Sequence, residues 1–339
     1  MERMDYTIFG GPGGPRVSTL ALGALPFGAR VDEPTSFAIL DRFREAGGTF
    51  LDTADCYCFW IEGATGRESE DLLGRWLAAR GCRDEMVIAT KLGAQPDPAL
   101  GPTWPRNAEG LSAATVRQAA EGSMRRLGTD HLDVLFSHIE DRSVMFYETV
   151  GAYAELIAEG KVTVAGVSNH TTSHVKAARA AAAELGVPGY TAVQQRHGYL
   201  RALPAASFSS PQEAADDELL AMVRAGEMSM MAYSALLEGA LVREDRPLPR
   251  QYQSPENAAR VAALWRIADE AGVTRTQLAL AWLLRGETPI VPVVGVSSVA
   301  QLDEALGALT VPETAVAALA VAAQEAVGRQ LEWAARSRS

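Results

Sequence analysis

The chain has 339 residues, 47% hydrophobic and 22% charged, with a formal net charge of -11. This composition supplies a sizeable core and excludes long disorder, and the acidic excess excludes a general phosphate-backbone binder, which needs clustered Lys and Arg. Charges in the first six residues occupy the place of a signal peptide's apolar stretch, and no apolar run approaches the ~18 residues of a membrane span, so a cytoplasmic protein with no membrane partner is expected.

In chain order, residues 6–17 read as two β-like pieces separated by the glycine-rich turn Gly10 to Gly14, a hairpin. Eight further β-like runs follow at 18–22, 49–52, 86–91, 132–138, 162–168, 191–194, 229–234 and 289–293, and helical patterns alternate with them. Ser69 is the expected cap of a helix carrying Leu72, Leu73, Trp76 and Leu77 that closes at Gly81. Val116, Ala120, Met124 and Leu127 form a second apolar stripe before Gly128, and Thr172 opens a third helix that stops at Gly186. Segments 201–216 and 238–256 fit neither pattern; each follows a strand and is either plain surface or a loop over the active face. The Ala-rich tail, 312–333, reads as a helix packed across the rest. Strands alternating with helices imply a parallel sheet, and eight of them favour a closed (β/α)8 TIM barrel in a single domain over 1–339.

Three β-like runs end in one ionisable residue each. Asp52, Lys91 and His138 stand at these ends, with Tyr57 in the loop after the first. In a parallel barrel the C-terminal strand ends form the face where chemistry is done. A tyrosine holds its proton at neutral pH, an ammonium beside it stabilises the phenolate, a carboxylate keeps that ammonium charged, and an imidazole can bond the substrate oxygen. Taken singly, each residue also fits a blander role: a capping acid, a loop aromatic, a surface charge, a core histidine.

The set resembles the aldo-keto reductase family. Its motifs appear in order as Asp52-Thr53-Ala54-Asp55-Cys56-Tyr57, Ser69-Glu70 through Leu73-Gly74, Ala89-Thr90-Lys91, Asp133 through His138, Gly166-Val167-Ser168-Asn169, Val193-Gln194, Ala232-Tyr233-Ser234 and Pro292 through Gly295. The resemblance implies a barrel plugged at its bottom by the N-terminal hairpin and closed by C-terminal helices. It further implies reduction of an aldehyde or ketone, or oxidation of the matching alcohol, with Asp52, Tyr57, Lys91 and His138 catalytic and Tyr57 the proton donor. Hydride then comes from NADPH, because no side chain can supply it. Ser168, Asn169 and Gln194 would hold the nicotinamide carboxamide and Tyr233 would stack on the ring. Ser234, Leu236 and Gly239 would line the pyrophosphate loop, Gly295, Ser298 and Gln301 would face the adenosine phosphate, and Glu304 the adenine.

No Gly-x-Gly-x-x-Gly opens a helix after a strand, so a Rossmann domain is not supported. The stretch from Gly295 to Ser298 before a helix suits an anion, or is simply a helix cap. It lacks the Arg or Lys many family members place there, which keeps NADH possible. Phe59 and Trp60 follow Tyr57 and offer an apolar wall to the substrate, or pack into the rim. Cys56, Cys58 and Cys82 read as free thiols, and no zinc ligand set is spaced around them. Two rivals stand: a nicotinamide-binding redox sensor without turnover, and a metal-dependent hydrolase built on the i, i+4 pair His170 and His174. The substrate and the oligomeric state are not encoded.

Overall fold

The computed structural model describes residues 4–203, 206–208 and 211–336. Among the described residues there are ten strands: β1 Tyr6–Ile8, β2 Arg16–Ser18, β3 Ala21–Gly23, β4 Phe50–Asp52, β5 Val87–Leu92, β6 Leu132–Ser137, β7 Val162–Ser168, β8 Ala192–Arg196, β9 Ser229–Tyr233 and β10 Ile290–Gly295. The helices are α1 Glu33–Glu45, α2 Glu68–Arg80, α3 Ala113–Leu127, α4 Phe146–Ala158, α5 Thr172–Leu185, α6 Asp217–Arg224, α7 Pro255–Ala271, α8 Arg275–Leu284, α9 Val299–Leu306 and α10 Glu313–Arg336. Strands β3 to β10 close into a parallel barrel, each paired with its chain neighbours and β10 returning to β3. The expected (β/α)8 barrel is therefore the observed fold.

Two expectations shift. The run 18–22 is not one strand: Ser18 ends the hairpin, where its Oγ donates to Leu20 O at 2.8 Å, and the first barrel strand starts at Ala21. Ser69 is not the cap of α2. It lies inside the helix, buried, with its hydroxyl donating to Ala24 O at 2.8 Å and 2.7 Å from that of Thr53. A tertiary acceptor has captured the hydroxyl that the local pattern assigned to the helix terminus. The stops at Gly81, Gly128 and Gly186 are as expected, all in the left-handed conformation.

The antiparallel pair β1 and β2 seals the bottom of the barrel. Phe9 and Val17 join Ala21, Phe50, Ala89, Val134, Phe136, Val164, Ala192, Met231 and Val291 in one interior cluster, with the Phe9 and Phe50 rings edge to face at 5.1 Å. Gly10 follows Phe9 at φ +86, and a Cβ there would lie 2.5 Å from the Val164 side chain, so glycine is required where the turn enters the barrel. A second, larger core fills the space between barrel and helices. Within it Gly74 lets α2 approach α3, since a Cβ would stand 2.0 Å from Arg126 O. Helix α10 packs on α7 and α8.

Among the described residues no single helix is long and apolar enough to cross a membrane; the pair Val299–Thr310 and Glu313–Ala326 reaches that length together but is bent by 88°.

Removing the plug's ring should be costly. Phe9→Ala is expected to destabilise by ~3–5 kcal/mol, read from the denaturant midpoint, as for other buried Phe truncations; a loss under ~1 kcal/mol would show that the hairpin does not close the barrel.

Candidate active site

Side chains alternate across a strand, so two residues beyond an interior position lies another interior position. From the interior cluster this count runs Phe50 to Asp52, Ala89 to Lys91, Phe136 to His138, Val164 through Gly166 to Ser168, Ala192 to Gln194, and Met231 to Tyr233. The polar residues named from sequence thus occupy the top layer of the same inward face that is apolar below. Six strands deliver them to one place.

Lys91 is 1% exposed, and a buried ammonium persists only if its donors are matched. All three are: Nζ donates to Asp52 Oδ1 at 2.7 Å, to Thr53 O at 2.8 Å and to Tyr57 OH at 2.6 Å. Tyr57 in turn donates to Asp52 Oδ2 at 3.0 Å. Burial lowers the Lys91 pKa, against the raising effect of Asp52. Burial, then the Asp52 charge, lifts the Tyr57 phenol well above its ordinary value, so it keeps its proton at neutral pH.

His138 follows β6, its N–H on Leu92 O at 2.8 Å. The half-buried ring stands edge to face with Tyr57 at 5.8 Å, and its Nδ1 lies 3.3 Å from Cys56 Sγ. Burial and the Lys91 charge push its pKa down to about 3, leaving a neutral imidazole.

The expected nicotinamide residues border this group. Gln194 Nε2 donates to Asp52 Oδ1 at 2.7 Å. Asn169 takes φ +56, a left-handed conformation Asn tolerates. Its Nδ2 donates to His138 O and to Ser168 Oγ, both at 3.0 Å, and its Oδ1 accepts from Tyr233 OH at 2.6 Å. The turn after β9 has positive φ at Ser234, Leu237, Glu238 and Gly239, a run of strained backbone of the kind that gathers at ligand sites. Ser298 caps α9, accepting from Gln301 N at 3.3 Å, while Gln301 Oε1 accepts from Ser297 N at 2.8 Å. Gly295 ends β10 and Glu304 is half-buried in α9. These last residues stand one strand beyond Tyr233 and make none of the hydrogen bonds around Lys91.

Of the expected aromatic wall, Phe59 packs into the cluster around Tyr57, whereas Trp60 is 51% exposed and rests edge to face on Phe59. Trp104, which the sequence reading missed, lies 5.3 Å from Phe59, and its Nε1 donates to Ala94 O at 2.9 Å. The signal available was a tryptophan in a long loop after a strand.

Described residues of segment 201–216 reach this face, and segment 238–256 meets them. Arg196, at the end of β8, exchanges backbone hydrogen bonds with Glu213 and Ala215, and Glu213 N reaches Asn169 Oδ1 at 3.3 Å. The two segments meet where Leu203 N donates to Gln251 O at 2.7 Å. Side chains of Arg243 and Arg246 flank Gly239.

Among the described residues, His170 and His174 gather no metal ligand set. His170 is buried, with Nδ1 2.7 Å from Ser168 O, and His174 Nδ1 lies 3.7 Å from Glu140. All three cysteines are free and buried.

A parallel barrel with ionisable groups converging at its C-terminal strand ends has the layout of an enzyme. The comparisons specify which kind. The Aldo/keto reductase family profile matches residues 19–322, and the chain belongs to that family. It is an oxidoreductase. It is similar to a norsolorinic acid reductase of Emericella nidulans, 31% identical over 88% of this chain and 76% of that protein. An uncharacterized oxidoreductase of Bacillus subtilis is 30% identical over 91% of this chain and 92% of its own. An aryl-alcohol dehydrogenase of Pestalotiopsis microspora is 27% identical over 88% and 77%. Membership supports carbonyl reduction with a nicotinamide cofactor and small-molecule substrates.

The electrostatics of His138 are directly checkable. Its imidazole signals in a two-dimensional NMR titration should stay at the neutral position from pH 8 down to 5; a midpoint near the model-peptide value of 6.5 would contradict the desolvation described.

Proposed function

We propose that this enzyme reduces an aromatic aldehyde or ketone with NADPH, Tyr57 giving the proton, or runs the reverse oxidation. The observation that carries the reading is the 2.6 Å contact of Lys91 Nζ with Tyr57 OH, itself tied to Asp52.

When bound, the nicotinamide supplies hydride to the carbonyl carbon. Tyr57 holds the acid proton until charge builds on the substrate oxygen, then releases it; the Lys91 ammonium stabilises the phenolate left behind, and Asp52 keeps Lys91 charged. His138, neutral, donates a hydrogen bond to the same oxygen and orients the carbonyl. Ser168, Asn169 and Gln194 would hold the carboxamide and Tyr233 would stack on the ring. Ser234, Leu236 and Gly239 would take the pyrophosphate, with Arg246 beside Gly239 and Arg243, itself paired with Asp245, near by. Gly295, Ser298, Gln301 and Glu304 would hold the adenosine end. The choice of NADPH over NADH rests on the family's preference, since no cation follows Gly295. Phe59 and Trp104 form the apolar side of the substrate pocket, a surface suited to flat rings. Names of two relatives, for norsolorinic acid and for aryl alcohols, support that class. The free thiols fit a cytoplasmic location.

Cofactor titrations followed by tryptophan fluorescence, then turnover on a carbonyl panel, test the reading. Tyr57→Phe should bind NADPH as the parent does while turnover falls ~10²- to 10⁴-fold; parental turnover would remove Tyr57 from the chemistry. Lys91→Met should lose turnover as well and, by stranding the Asp52 charge, cost ~3–5 kcal/mol of stability in denaturant melts. Trp104→Ala should raise KM for aromatic carbonyls ~10-fold or more through lost burial of about 2 kcal/mol and change aliphatic ones little; equal effects would disqualify it as a substrate wall.

A further inference from the structure

Sharing His138 with the proton-donor set is a second constellation whose other two members, Asp55 and Cys56, carbonyl reduction does not call for. Asp55, Cys56 and His138 each present a ligand atom, and these atoms all lie within 4.8 Å of one another. Asp55 is 3% and Cys56 2% exposed. Tetrahedral zinc, with bonds of about 2.0–2.3 Å, spaces its ligand atoms roughly 3.3–3.8 Å apart. Cys56 Sγ and His138 Nδ1 are already 3.3 Å apart, so a small side-chain rotation of Asp55 completes a triangle. Independently, Asp55 Oδ1 is buried without a hydrogen-bond partner, a cost that a bound cation would relieve.

We propose that Asp55, Cys56 and His138 form a site for a zinc-type divalent ion, and that the ion inhibits the reductase by seizing the His138 ring. One thiolate, one imidazole and one carboxylate suit zinc or cobalt, not magnesium or calcium, which prefer all-oxygen shells. Coordination replaces the Cys56 S–H and Asp55 O–H bonds with bonds to the metal, and both protons leave to solvent; no electron is transferred. Burial otherwise holds this thiol protonated, but a metal deprotonates a coordinated thiol outright. The imidazole is neutral and its lone pair available. Burial, then the Glu109 and Glu70 charges, lifts the Asp55 carboxyl well above its ordinary range, so it too binds the ion only by releasing a proton. Coordinated through Nδ1, the ring is pinned beside Cys56 and can no longer turn its remaining N–H to follow the substrate oxygen. The inhibition rests on the reductase reading above; the binding does not.

Cobalt(II) separates the two. The full-length chain, stripped with a chelator, is titrated with cobalt while the near-ultraviolet thiolate-to-cobalt band and the visible tetrahedral bands are followed. One ion per chain is expected, displaced by zinc. Cys56→Ser should lose the thiolate band, and Asp55→Asn should weaken binding about tenfold or more, both variants still binding NADPH as a sign of folding. Parent turnover should fall in proportion to occupancy and return on chelation, with Cys56→Ser far less sensitive. No thiolate band, a band undiminished in Cys56→Ser, or full occupancy with unchanged turnover would each overturn the proposal. A chain inactive before metal is added refutes the reductase reading instead, and the inhibition with it, while the spectral titration still decides the site.

Discussion

The top of this barrel is organised by one buried cation. An ammonium taken out of water costs several kcal/mol unless its partners are in place, and Lys91 meets that demand with Asp52, the Thr53 carbonyl and Tyr57. Those partners come from β4 and the loop behind it, so the register of β4 on β5, Asp52 opposite Ala89, must be correct. A slip of one residue would turn Lys91 outward and leave Asp52 uncompensated. The apolar lower barrel and the Phe9 plug secure that register by filling the interior that the same face presents below.

The remaining site residues are arranged around this pair at increasing distance. Gln194 touches Asp52 directly; Asn169 is joined to His138 and Tyr233. The family's oxidoreductase chemistry is compatible with such a group because its protons are held tightly at rest and its charges are fixed in advance, so little rearrangement accompanies reaction.

Much of this was legible in the sequence, and the reason is periodicity. Short apolar runs ending in Asp52, Lys91 and His138 announce strand ends, and a two-residue repeat places these side chains inside. Ser69 was misread because a hydroxyl before acidic residues looks like a cap, whereas its acceptor, Ala24 O, is 45 residues away. Trp104 and the pairing of Arg196 with Glu213 and Ala215 were invisible for a similar reason: long loops carry no repeat, and their contacts are set by the surface they fold onto. Phe59 and Trp60 are equivalent in the sequence, and only their packing separates them: Phe59 lies inward and Trp60 rests exposed against it.

The hydrogen bonds around Asn169 have a further consequence. Its Oδ1 is shared by the Tyr233 hydroxyl and the Glu213 amide, so one atom belongs both to the barrel rim and to the loop laid over it. A ligand that competes for that oxygen weakens the loop's anchor, and by thermodynamic reciprocity a loop displaced by a bulky substrate returns the oxygen to the ligand. Loop position and occupancy of the rim are therefore coupled through a single acceptor, and sequence changes in the loop tune affinity at a distance from the reacting atoms.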